Sequence, residues 1–137
     1  MRKLSCLMVF AILLLLPCLA LGEFRPADYT PITQVDLVKD PQAHAGKKYQ
    51  VREAFQFCGS DFCVQIHKTK INTRDYYCFT VGAICAVRMY IRKDHPEAAQ
   101  VLQLKKGDML TVYGTFDFMG SNYHFIVADR IVVEKGR

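Results

Sequence analysis

Two groups of residues in this chain have types and spacings that could do chemistry. The first is four cysteines, Cys58, Cys63, Cys78 and Cys85. Paired, they form disulfides; reduced, they could hold zinc or exchange electrons. Cys58-x4-Cys63 and Cys78-x6-Cys85 lack the tight Cys-x2-Cys knuckle of structural zinc sites. There is no thioredoxin-type Cys-x-x-Cys and no Cys-x-x-Cys-His for covalent haem. Disulfides are therefore expected, with metal binding or redox work as the alternatives. Four cysteines allow three connectivities. Cys58–Cys63 with Cys78–Cys85 is preferred because each pair closes a short loop. Such bridges pin local geometry more than they hold a fold.

The second group mixes basic and aromatic side chains: Lys68, Lys70, Arg74, Tyr76, Arg88, Tyr90 and Arg92. Cations can track a phosphate backbone or another polyanion, and tyrosine rings can stack on bases or sugars. Arg88, Tyr90 and Arg92 recur at every second position, which puts them in a row on one side of a strand. The plainer alternative is a solvated strand whose long side chains cover apolar surface. A polyanion, an oligonucleotide, a glycan or an envelope protein would satisfy the same residues.

Enzyme chemistry is not expected, and neither is a metal or a cofactor. His44, His67, His95 and His124 are scattered, with no pair at i, i+4. No Ser-His-Asp order, paired-carboxylate motif, P-loop or dinucleotide fingerprint occurs. Asp117, Asp129 and His124 could converge across the final hairpin. His124 alternates with Tyr123 and Phe125, which read as inward, so it is expected on the surface.

The N-terminus bears on the compartment. Arg2 and Lys3 precede the uncharged apolar run Leu7–Leu16, Pro17 breaks it, and Ala20-Leu21-Gly22 supplies small residues before Glu23. That layout is a secretory signal peptide, residues 1–22, cleaved after Gly22. An uncleaved anchor and lipid attachment at Cys18 are the alternatives. The run is short for a span of about 20 residues, and Pro17 departs from the small residue that precedes a lipidated cysteine. The expected product is a soluble exported protein, periplasmic or secreted, with no membrane insertion once the signal is removed. Cleavage takes away two of the 18 basic and none of the 13 acidic residues, leaving a mildly basic chain. That is well short of the charge that announces a nucleic-acid binder by itself.

Residues 23–39 read as an extended lead-in and a short helix, with Thr33 and Asp36 as a capping pair and Asp40-Pro41 as its stop. Residues 40–137 read as one domain. Tyr49, Val51, Phe55 and Phe57 share a parity that Glu53 interrupts, predicting a bulge near Glu53-Ala54. Gly59-Ser60-Asp61 is a turn, and Phe62, Val64 and Ile66 alternate with Cys63, Gln65 and His67. Tyr77, Phe79 and Val81 alternate up to Gly82. Val87, Met89 and Ile91 face one way. Asp94, Pro96 and Glu97 announce a helix carrying Ala98, Val101, Leu102 and Leu104, which Gly107 ends. Two long strands close the chain, Leu110–Phe118 and Tyr123–Val133, joined at Gly120-Ser121-Asn122, with an irregularity at Ala128-Asp129.

Three strands, a helix and two strands (β-β-β-α-β-β) is the order of a five-stranded OB-type barrel, an all-β class with one or two short helices. Asp40-Pro41 with Gly46-Lys47-Lys48-Tyr49-Gln50-Val51 resembles the entry to the first strand of small exported bacterial OB-fold proteins. Leu104 to Gly114 is similar to their helix-to-strand junction, and Ala128-Asp129-Arg130-Ile131 resembles their closing strand. Domains of the tRNA-anticodon-binding type share these features, and the four cysteines depart from both groups. The resemblance implies a binding module that presents the face of its second and third strands, flanked by two loops.

Overall fold

Each of two short helices begins at a residue whose side chain meets an otherwise unpaired backbone N–H. The Thr33 hydroxyl accepts from Asp36 N at the start of α1 (Gln34–Lys39), and the Asp40 carboxylate accepts from Ala43 N at the start of α2 (Pro41–His44). Before them, β1 (Thr30–Pro31) runs parallel to the beginning of the first long strand. The computed structural model describes residues 22–58, 72–82 and 86–134. The expected signal peptide, the 59–61 turn, the 62–67 alternation, Lys68, Lys70, Cys63 and Cys85 lie outside the described residues.

The barrel strands are β2 (Lys48–Cys58), β3 (Tyr76–Val81), β4 (Val87–Arg92), β5 (Met109–Met119) and β6 (Tyr123–Val133), with the single turn of α3 (Ala98–Val101) between β4 and β5. The first part of β2 pairs antiparallel with β5, from Lys48↔Thr115 to Ala54↔Met109. Its last part pairs with β3, from Phe55↔Val81 to Cys58↔Phe79. β3 pairs antiparallel with β4, β4 parallel with β6, and β6 antiparallel with β5. The ring β2-β3-β4-β6-β5 therefore closes on itself and leaves no barrel edge unpaired.

Alternation along the strands fills the interior with Val51, Phe55, Phe79, Val81, Val87, Met89, Ile91, Leu110, Val112, Phe116, Ile126 and Ile131. Leu37 of α1 and Ala98 and Val101 of α3 join that core. At Gly114 the strands come so close that a Cβ would strike the Val127 carbonyl oxygen, which excludes larger residues. The irregularity expected at Ala128-Asp129 is present: Tyr113 faces Arg130 and Gly114 faces Ala128, leaving Asp129 extra on β6.

Three expectations need correction. The β2 ladder runs unbroken through Glu53, and its irregularity falls between Phe55 and Phe57. Glu53 keeps its parity because Gln34 of α1 meets it: Gln34 Nε2 donates to Glu53 Oε2 at 2.6 Å. The displaced register turns Phe57 outward, where it is 40% exposed. Second, α3 is one turn rather than a helix reaching Gly107. Its intended caps are occupied elsewhere. Asp94 pairs with Arg92, and Glu97 Oε2 accepts from Ile131 N at 2.7 Å while Oε1 lies 3.0 Å from Arg130. Third, Tyr123 and Phe125 face outward, and the residue between them, His124, faces in. The stretch Tyr123–Ile126 is buried on both sides, so alternation alone could not tell in from out.

Candidate ligand-binding face

The outer side of β3 and β4 is built by three cross-strand rows: Tyr76 beside Arg92, Cys78 beside Tyr90, and Thr80 beside Arg88. β6 extends the last two rows with Val127 and Phe125. Tyr90 is fully buried there, in a second cluster with Cys78, Tyr123 and Phe125 against which Tyr76, Met119 and Val127 pack. Its ring meets Tyr76 edge-on at 6.4 Å and Phe125 at 6.0 Å. The Tyr90 and Tyr123 hydroxyls hydrogen-bond each other. Burial, and then that bond, push the Tyr90 phenol well above its ordinary range. Tyr90 therefore anchors the face from beneath and cannot stack on a ligand as the sequence suggests, because none of its surface is exposed.

The remaining members of the expected set divide. Arg74 is exposed in a 3-10 turn, Thr73–Asp75, that leads into β3. Tyr76 is half-buried at the cluster's rim. Arg92 is exposed and held by both oxygens of Asp94 at 2.8–2.9 Å. An exposed pair of this kind contributes little to stability and exchanges readily. Arg88 is half-buried, with its guanidinium carbon 4.3 Å from the centre of the Tyr123 ring. Its Nε is buried and has no hydrogen-bond partner among the described residues, and the same is true of Thr80 Oγ1 directly across the ladder. Lys68 and Lys70 lie outside the described residues. Cys78 is disulfide-bonded, and its partner is not among the side chains described.

Sequence reasoning missed Thr80 and Tyr123 as parts of this face. Thr80 had a signal, since it shares the outward parity of Tyr76 and Cys78. Tyr123 had a misleading one, because the polar residue beside it, His124, is the one that faces in.

The triad-like convergence across the final hairpin does not form. Asp117 is exposed and its Oδ1 accepts from the Phe118 amide. Asp129 sits on the bulge and accepts from the Tyr29 hydroxyl at 2.8 Å. His124 is only 8% exposed, stacked on Phe116 at 6.3 Å, and its Nε2 has no partner among the described residues. Burial, and secondarily the Arg88 charge, lower its pKa. The unfolded chain thus takes up the proton first, near pH 6.5. Stability present above about pH 6.5 is expected to fall as the pH drops below it, and to go on falling through the lower folded-state value. Thermal melts of wild type and His124→Gln between about pH 7.5 and pH 5 check this: the variant should lose less. Parallel curves would remove His124 from the account.

A concavity lies elsewhere on the barrel, between the lead-in and the strands β2, β5 and β6. The lead-in folds onto β5 through Phe24, Tyr29 and Tyr113, whose ring centres are 5.1–5.5 Å apart. Glu23, Arg25, Asp28, Tyr29, Lys48 and Asp129 help to line a cavity of about 330 Å³. Within it Arg25 pairs with Asp28 at 3.2 Å, the Tyr29 hydroxyl donates to Asp129, and Lys48 Nζ lies 5.4 Å from the centre of the Tyr29 ring. Among the described residues no group of three or more His, Cys, Asp or Glu could hold a metal ion. Among them, too, no helix is long and apolar enough to cross a membrane.

The strand order, the parallel β4–β6 pair and the closure of β2 onto β5 define an OB-type barrel. No protein-family model matches the chain, and no curated protein matches it. Among solved structures it is similar to one from the S. pombe Stn1–Ten1 complex, at 12% identity and TM-score 0.48 over 65% of this chain and 59% of that one. It is similar to OBody AM1L10 bound to hen egg-white lysozyme, at 16% identity and TM-score 0.48 over 69% and 85% of the two chains. A third is asparaginyl-tRNA synthetase from Pyrococcus horikoshii complexed with asparaginyl-adenylate, at 10% identity and TM-score 0.49 over 69% of this chain and 20% of that one. The class of the fold rests on the strand order and pairing of the barrel itself.

Proposed function

We propose that this chain is an exported, non-enzymatic OB-fold binding module that captures an anionic ligand, an oligonucleotide or an acidic glycan, on the outer face of β3 and β4. The observation that carries this reading is Arg88: a half-buried cation on that face, seated on the Tyr123 ring, that makes no ion pair among the described residues, with Arg92 further along the same strand. Charge would draw the ligand in, and the packed rings beneath would hold the cations in place. Lys68 and Lys70 would extend the basic surface. The signal-like N-terminus supports export, and Cys58–Cys63 with Cys78–Cys85 is the disulfide pairing that goes with it.

Binding of a single-stranded oligonucleotide and of a sulfated oligosaccharide, each measured across a salt series, tests the proposal. Each lost cation lowers the slope of log K against log salt by roughly 0.7–0.9. Arg88→Ala with Arg92→Ala is therefore expected to weaken binding and to flatten the slope by about 1.4 or more. Unchanged affinity in the double variant would exclude this face. A salt-insensitive, stoichiometric protein partner would instead place the barrel among assembly proteins of the envelope.

A further inference from the structure

The concavity beneath the lead-in has room for a guest. Its volume of about 330 Å³ falls at the small end of small-molecule sites, which run from about 300 to 1,000 Å³. That suits one compact molecule and not a polymer. Three segments build it. Tyr29, just ahead of β1, is buried with its ring packed against Phe24 and Tyr113. Lys48 opens β2, and Thr115 of β5 is its cross-strand partner, so both side chains leave the sheet on one side. Asp129 is the extra residue of the β6 bulge, a device that re-aims a side chain. Here the bulge brings the carboxylate to the tyrosine, whose hydroxyl donates to Asp129 Oδ2 at 2.8 Å.

Two opposite charges stand open in this space. Lys48 Nζ lies over the Tyr29 ring, and Asp129 sits at that ring's hydroxyl. Both residues are exposed, and neither makes an ion pair among the described residues. Asp129 Oδ1 accepts no hydrogen bond among them. Burial, and then the bond to Asp129, hold the Tyr29 phenol protonated well above its ordinary range. The tyrosine therefore keeps donating to Oδ2 and leaves Oδ1 for another donor. Arg25 and Asp28 at the rim already satisfy each other. A lone anion here is drawn by Lys48 and repelled by Asp129, and a lone cation meets the reverse. A molecule carrying both charges satisfies both residues at once.

We propose that this cavity binds a free α-amino acid, with its carboxylate on Lys48 Nζ and the Thr115 hydroxyl and its ammonium on Asp129 Oδ1. The ligand's side chain lies along Phe24, which also lines the space. Binding is non-covalent, and each charged end gains a charge-assisted hydrogen bond. None of the residues involved belongs to the outer face of β3 and β4, so the site stands or falls apart from the reading of that face.

Backbone amide shifts of the protein, followed by NMR through separate titrations with glycine, alanine and phenylalanine, test the site. Acetate and ethylamine serve as the two half-ligands. A saturable shift at Phe24, Tyr29, Lys48, Thr115 and Asp129 is expected with the amino acids. Each half-ligand should bind at least about tenfold more weakly, having lost one charged hydrogen bond. Lys48→Gln and Asp129→Asn should each weaken amino-acid binding by about the same factor. Asp129→Asn keeps an acceptor for the Tyr29 hydroxyl. Should it still disturb the fold, Lys48→Gln, a change at an exposed side chain, decides alone. Lys106→Gln, exposed and outside the cavity, should change nothing. No saturable shift with any of the three amino acids overturns the site. So does acetate binding as tightly as they do, which would make Lys48 a plain anion seat, or affinity that survives Lys48→Gln. Oligonucleotide shifts on β3 and β4 without an amino-acid response would sink this site alone, and the converse would sink that face alone.

Discussion

Tyr90→Ala is expected to destabilise the protein by about 3–5 kcal/mol, the range for deleting a fully buried aromatic ring. Tyr90 is completely enclosed, and its removal would strip Tyr76, Tyr123 and Phe125 of their common neighbour. Tyr90→Phe keeps the packing and deletes only the hydroxyl bond to Tyr123, so about 1 kcal/mol is expected. Denaturant melts of the two variants measure the difference. Tyr90→Phe should also leave ligand affinity almost unchanged, because the ring lies beneath the face. Mild destabilisation by Tyr90→Ala, joined to a large loss of binding, would restore Tyr90 as a stacking surface and contradict the buried cluster.

The second large effect sits at Gln34. This residue is fully buried at the start of α1, and its amide joins three barrel strands. Nε2 donates to Glu53 Oε2 on β2 and to the Val81 carbonyl on β3 at 2.7 Å, while Oε1 accepts from Val87 N on β4 at 2.9 Å. Gln34→Leu fills the same space and satisfies none of them. Leaving a buried polar group unpaired costs about 1–3 kcal/mol, so a loss of about 3 kcal/mol or more is expected. Glu53→Leu added to Gln34→Leu should recover part of that loss, since it removes one stranded partner. Additive losses in the double variant would mean that the contact contributes nothing.

Gln34 also shows why some of the molecule was legible in sequence and some was not. Local signals read through to structure: the Thr33 cap, the inward parity of Val87, Met89 and Ile91, and the irregularity at Ala128-Asp129 all depend on near neighbours. The inward course of Glu53 depends on Gln34, nineteen positions away, and looked like a broken pattern without it. Asp94 and Glu97 resembled helix caps by spacing, but partners on neighbouring elements, Arg92 and the start of the Arg130-Ile131 segment, took their carboxylates.

The candidate face followed the same division. Alternation put Arg88, Tyr90 and Arg92 on one side correctly. It says which side of a strand a residue occupies, never what packs on that side. The outer cluster joins β3, β4 and β6 through a parallel pair remote in sequence, so nothing near Tyr90 announced its burial. Tyr123 and Phe125, taken as inward, are what covers it.

The most direct measurement is a map of backbone amide shifts in the protein on addition of a single-stranded oligonucleotide, repeated with a sulfated oligosaccharide. Binding on the outer face predicts shifts concentrated at Tyr76–Thr80 and Arg88–Arg92, fading as salt is raised. Shifts centred on Phe24, Tyr29 and Lys48, or no shift with either ligand at low salt, would contradict it.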